Sequence, residues 1–116
     1  MNHLHLGVAD VDASADFYER LGFRRTTWHG GALFVRNDDG FDLALGAYSE
    51  RPQFPEWFHF GSRLDDPDAV RRLQQRLESA GDPITGSGDD PDFVWFRVLD
   101  PDGYQVEIYW EPDPVT

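Results

Sequence analysis

The chain has 116 residues, 40% hydrophobic and 15% aromatic, which is enough apolar material for one packed domain and too much for a disordered segment. Its formal net charge of -12 repels phosphate backbones and anionic lipids, and so argues against nucleic-acid and membrane-surface roles. Cysteine is absent and all 10 basic residues are arginine, which removes disulfides, thiolate ligands and Schiff-base chemistry on lysine. No apolar run reaches the ~18 residues of a membrane span. The opening MNHLHLGVAD lacks the basic-then-apolar order of a secretory signal, so a cytoplasmic protein is expected.

In chain order, Leu4, Leu6 and Val8 alternate with His3, His5 and Gly7, the pattern of a half-buried strand. Val11, Ala15, Tyr18 and Leu21 follow helical spacing, with Asp10 or Asp12 as cap and Gly22 as the stop. Residues 23–29 and 32–37 read as strands joined at His29-Gly30-Gly31, and 41–48 as a fourth strand after the turn Asp38-Asp39-Gly40. Residues 49–56, with two prolines, form a linker.

The second half repeats the order. Residues 57–64 are expected to be a strand. A helix capped by Asp66 carries Pro67 in its first turn and the stripe Val70, Leu73, Leu77 and Ala80, and Gly81 ends it. Residues 86–92, rich in Gly and Asp, read as a loop. Residues 93–99 and 104–110 read as strands around Asp100-Pro101-Asp102-Gly103, with a loose tail after Trp110.

The two halves match as sequence. HLHLGVADVDA from His3 aligns with HFGSRLDDPDA from His59, 56 positions on; NDDGFDLAL from Asn37 aligns with DPDGYQVEI from Asn37's counterpart Asp100, 63 positions on. The repeat predicts an α+β fold of two βαβββ modules, about 1–48 and 56–111, within one domain of residues 1–116.

Strand alternation then singles out a constellation. His3 points away from Leu4 and Leu6, His59 away from Phe58 and Phe60, and Glu107 away from Val106 and Ile108. Each alone is better explained as a solvated strand residue. The repeat is what raises them, because His3 and His59 are equivalent positions and Glu107 is equivalent to Ala44. If an approximate two-fold axis relates the modules, these positions converge. Two imidazoles and a carboxylate suit Fe, Ni, Co, Mn or Zn and leave positions open for water and substrate.

The segments HLHLGVADVDASADFYERLGF and DPDGYQVEIYW resemble the opening strand and helix and the closing strand of the vicinal oxygen chelate (glyoxalase/bleomycin resistance/dioxygenase) superfamily, over about residues 2–111. The resemblance implies two modules forming a cupped mixed sheet around a divalent metal held by His3, His59 and Glu107. It also implies a homodimer whose sites are built from both chains. Family activities include isomerases, lyases, ring-cleaving dioxygenases and thiol transferases, together with drug-binding proteins that catalyse nothing.

Departures narrow the choice. Glyoxalases place a glutamate where this chain has Ala44, and bacterial ones an arginine where Gly7 stands. The tyrosine position of ring-cleaving dioxygenases reads Arg97, and their histidine falls near Gly88. The three-ligand pattern is similar to that of the fosfomycin-resistance branch, although the lysine-bearing loop of that branch becomes the acidic segment 86–92. The expected function is Lewis-acid activation of an oxygen-chelating substrate, as a lyase, isomerase or thiol transferase, by something other than a standard glutathione glyoxalase. The alternative is sequestration of an antibiotic or natural product. Candidate bases are an ion-activated water, His5 or Tyr48. Arg97 is a candidate for an anionic substrate group, its bland alternative being an ion pair. Trp95, Tyr48, Tyr109 and Phe34 are candidate pocket residues, and His29 is read as a hairpin residue. Trp28 and Trp57 add further aromatic surface.

Overall fold

A computed structural model describes residues 1–50 and 53–114. The chain divides into two compact units, Met1–Phe54 and Pro55–Thr116. The first contains β1 (His3–Val8), α1 (Val11–Arg20), β2 (Arg24–His29), β3 (Ala32–Arg36) and β4 (Asp42–Ala47); the second contains β5 (Phe60–Arg63), α2 (Pro67–Ser79), β6 (Ile84–Asp90), β7 (Phe93–Leu99) and β8 (Gln105–Trp110). Each unit is a four-stranded mixed sheet with one helix, in strand order β1-β4-β3-β2 and β5-β8-β7-β6. The first and last strands of each unit pair in parallel and the others antiparallel. This is the α+β, βαβββ repeat that the sequence predicts.

The helices begin for the same reason in both units. Asp10 accepts from Ala13 N at 3.1 Å and Asp66 from Ala69 N at 2.8 Å, satisfying amides that have no partner inside the helix. Each helix covers one face of its sheet. Leu6, Val8, Leu33, Val35, Leu43 and Leu45 are buried in the first unit, and Val94, Phe96, Val98, Val106 and Ile108 in the second. In α2 the expected stripe Val70, Leu73 and Leu77 is buried, while Ala80 is exposed. In α1 the buried set is Ser14, Ala15, Phe17 and Tyr18, so Phe17 replaces Val11 as a principal core residue. Here i, i+1 pairs straddle the buried stripe, which is wider than one i, i+3/i+4 line.

The turns before the closing strands match bond for bond. Asn37 Oδ1 accepts from Asp39 N and Phe41 N at 3.1 and 2.9 Å. Asp100 Oδ1 accepts from Asp102 N and Tyr104 N, both at 2.9 Å. Gly40 and Gly103 supply the left-handed backbone of these turns, at φ 81° and 88°. The turns thus set the register in which β4 and β8 return.

Three sequence expectations change. Residues 57–64 form a strand only over Phe60–Arg63; Trp57 lies in a turn and His59 stands just before β5. Of the expected loop 86–92, residues 86–90 belong instead to β6, paired along β7 from Ile84↔Val98 to Asp90↔Phe93, and only 91–92 form the turn. The glycines of β6 look like loop residues yet are required by packing. A Cβ on Gly88 would run into the Trp95 indole, and one on Gly86 would lie 3.2 Å from it. The linker reading of 49–56 and the tail after Trp110 fall partly on residues 51, 52, 115 and 116, outside the described residues.

Arginine ties the helix to the outer strand in each unit. Arg25 of β2 reaches Asp12, Asp16 and Glu19, each at 2.8 Å. Arg71 of α2 holds both oxygens of Asp89 on β6, at 2.8 and 2.7 Å. Hydrogen bonding from Arg71 holds the Asp89 carboxyl below its usual range. This contribution is complete above the unfolded value of about 3.9 and is lost as pH falls through the lowered folded value. The gap in melting temperature between the wild type and Asp89→Asn should therefore be widest near neutrality and close as the pH is lowered through that window, in thermal melts followed by circular dichroism.

Candidate functional site

On each sheet the face away from the helix carries the polar side chains. In the second unit the register aligns Gly61, Glu107, Arg97 and Gly86 in one row and Arg63, Tyr109, Trp95 and Gly88 in the next. Glu107, Arg97, Trp95 and Tyr109 therefore share a face, as alternation predicts. His59 joins them from just before β5. Its Nε2 stands 3.8 Å from Glu107 Oε2, with side chains 29% and 15% exposed.

The tautomer of His59 follows from its partner. Nδ1 lies 3.0 Å from the Trp57 carbonyl, which can only accept, so the neutral ring carries its proton there and leaves Nε2 as a bare donor atom. Glu107 is held at its other end, where Arg97 Nε donates to Oε1 at 3.1 Å. One oxygen is occupied and the other is turned toward the imidazole. Two ligands of one ion at ~2.1 Å with tetrahedral angles stand roughly 3.4 Å apart, close to the spacing found. The donor set fits a divalent metal of borderline softness.

Arg97 is thus in an ion pair, and its guanidinium also lies over the Trp95 ring at 5.3 Å. Phe93 and Tyr109 add a tilted ring pair at 5.9 Å. Gly61 completes the floor. A Cβ there would collide with the Glu107 backbone carbonyl and lie 3.1 Å from the Glu107 Cβ. Gly61, Gly88 and the Trp57 carbonyl are contributors that sequence reasoning missed. The HFG segment contained the signal for Gly61, since a glycine inside a strand marks close backbone approach.

In the first unit, His3 is exposed and its Nδ1 pairs with Asn2 Oδ1 at 2.9 Å. An amide oxygen only accepts, so the Nε2 of His3 is likewise the bare nitrogen. His3 aligns with Asp42, and Asp42 with Arg36; Arg36 holds Asp42 at 2.8 and 3.1 Å. Hydrogen bonding from Arg36 lowers the Asp42 carboxyl's pKa. His5 aligns with Ala44 and Ala44 with Phe34. Ala44, 6% exposed, leaves no carboxylate at the position matching Glu107.

His5 Nε2 and the exposed Tyr48 hydroxyl are 3.4 Å apart, with the rings edge to face. Tyr48 packs on Gly7, where a Cβ would lie 2.8 Å from the ring. Gly7 is therefore a seat for Tyr48. His29 lies on the exposed strand β2 as its terminal residue, and Trp28 and Trp57 are 61% and 73% exposed. Among the described residues no group of three or more His, Asp or Glu side chains is gathered as a metal site. His59 and Glu107 are together in the second unit, and His3 belongs to the first.

Comparison with known proteins identifies the class. The family model of the Glyoxalase/Bleomycin resistance protein/Dioxygenase superfamily matches residues 1–108, and the chain belongs to that family. Among individual proteins, it is similar to the glutathione transferase FosA of Serratia marcescens, 31% identical over 94% of this chain and 79% of that protein. A solved structure of a possible glyoxalase from Bacillus cereus is 31% identical, with TM-score 0.78 over 93% of this chain and 96% of that one. A glyoxalase/dioxygenase from Nostoc punctiforme, 21% identical, shares the fold with TM-score 0.80, over 97% and 90% of the two chains. No helix among the described residues is long and apolar enough to cross a membrane.

The close approach at Gly61 yields a direct test of how the site is framed. Gly61→Ala should lower unfolding stability by about 1–3 kcal/mol, the usual range for overpacking, in urea denaturation. Ser62→Ala on the same strand should change it by less.

Proposed function

We propose that this chain is a divalent-metal-dependent enzyme for a small, oxygen-chelating substrate, with His3, His59 and Glu107 as the metal ligands. The observation that carries the reading is the prepared pair in the second unit. His59 donates its Nδ1 proton to the Trp57 carbonyl, Glu107 has one oxygen held by Arg97, and the two remaining donor atoms face each other at 3.8 Å. Outer partners of this kind orient metal ligands and set the tautomer of ligating histidines. His3, with its own Nδ1 engaged by Asn2, supplies the third donor.

When bound, the ion would act as a Lewis acid on substrate oxygen. The chain's own residues do the rest. Arg97 offers its terminal nitrogens to an anionic substrate group, and Trp95, Tyr109, Phe34 and Tyr48 supply aromatic walls. His5 and Tyr48 are the candidate proton carriers. Thiol transfer is favoured over hemithioacetal isomerisation, because it needs no carboxylate at Ala44 and because a relative of this chain is named as a glutathione transferase. The working form is a homodimer of single-domain chains, residues 1–116, in the cytoplasm, with sites shared between chains.

Two measurements check this. Protein supplemented with Ni, Co, Mn, Fe or Zn should bind about one ion per chain, and His59→Ala should abolish tight binding, leaving an ion held only at excess metal. Absence of stoichiometric metal would favour the alternative of a natural-product binder, for which the exposed Trp28, Tyr48 and Trp57 are the supporting observation. The methylglyoxal–glutathione hemithioacetal should turn over feebly, since a missing general base costs ~10²–10⁴-fold. Ala44→Glu should raise that rate, and robust turnover by the unmodified protein would contradict the assignment.

A further inference from the structure

Resting on the metal site proposed above, we infer that Arg97 is a positioning residue that sets the orientation of Glu107 and is itself held in place by Trp95 lying on the glycines of β6. The chain of contacts is continuous. Gly86 pairs with Arg97 and Gly88 with Trp95 in the β6–β7 ladder. The indole lies over both glycines, so closely that a Cβ on Gly88 would overlap its Nε1. The guanidinium lies over the same ring, 5.3 Å from its centroid. Its Nε then donates to Glu107 Oε1 at 3.1 Å, leaving Oε2 toward His59.

The composition of β6 supports a positional purpose. ITGSGDD contains two glycines and two aspartates, all poor strand formers, in a strand that pairs along its length. The cost is offset if the glycines are there to seat Trp95. An ordinary surface ion pair needs no such arrangement and contributes little. This pair is half-buried, with Arg97 31% and Glu107 15% exposed. Donation through Nε uses the rigid part of the guanidinium, which a flexible ammonium cannot reproduce while also stacking on an indole.

The test is cobalt(II) titration of the full-length protein, read by d–d absorption and by competition with a chelator, for wild type, Arg97→Met, Arg97→Lys and Gly88→Ala. Circular dichroism confirms that each variant is folded. Arg97→Met, which keeps a long side chain over Trp95 but removes the donor, should weaken cobalt binding about 10–100-fold, the usual effect of losing an outer-sphere partner, and alter the d–d spectrum. Arg97→Lys should be weakened too, and Gly88→Ala should shift Trp fluorescence and reproduce part of the loss. Binding by folded Arg97→Met or Arg97→Lys within about twofold of wild type, with an unchanged spectrum, would overturn the inference. Should Arg97→Met fail to fold, Arg97→Lys decides on the same criterion. Failure of the wild type itself to bind cobalt would instead remove the metal site, an outcome read from a separate arm.

Discussion

The parallel pairing of the first and last strand in each unit is the constraint on which the rest depends. It fixes Gly61 against Glu107 in one unit and His5 against Ala44 in the other. Once this register is set, side-chain alternation divides each sheet into a helix-packed apolar face and a polar face. A shift of one residue would bury Glu107 and expose Val106 and Ile108. The identical turns at Asn37 and Asp100, reinforced by side-chain acceptors and by left-handed glycines, deliver the closing strands in that register. Gly61 is part of the same constraint, because only a residue without Cβ lets β5 run this close to the Glu107 carbonyl.

On the polar faces, glycine does a second job. Gly7 and Gly46 lie beneath Tyr48 and His5, and Gly86 and Gly88 beneath Trp95. Each pair lets a flat ring rest directly on the sheet and gives a polar neighbour something to pack against: His5 beside Tyr48, Arg97 above Trp95. The charges are organised too. In a chain of net charge -12, Arg25 and Arg71 gather carboxylates that would otherwise repel one another, and they tie each helix to the outer strand.

Much of this was legible in the sequence. The repeat located both units, the cap Asp66 and the pair Asp10 or Asp12, of which the structure uses Asp10, located both helices, and alternation placed Glu107, Arg97, Trp95 and Tyr109 on one face. What escaped was long-range. Strand β6 was hidden because Gly86 and Gly88 look like loop residues until the Trp95 ring that demands them is in place. The short β5 was overestimated because Trp57 and Phe58 have strand propensity but sit outside the ladder. Phe17 was missed because a single helical stripe was assumed. The partner of Arg97 was one of 22 carboxylates, and only the β7–β8 register singles out Glu107. Gly7 reads from family comparison as a missing arginine, whereas the structure shows a packing role under Tyr48.

The central claim is that two imidazoles and one carboxylate of this chain gather around a single ion. X-ray absorption spectroscopy of the zinc-loaded protein tests it most directly. The account predicts a first shell of nitrogen and oxygen at ~2.0–2.2 Å, with outer-shell scattering from two imidazole rings that falls to one ring in His3→Ala or His59→Ala. A shell of oxygens alone, or two-ring scattering unchanged in those variants, would contradict it.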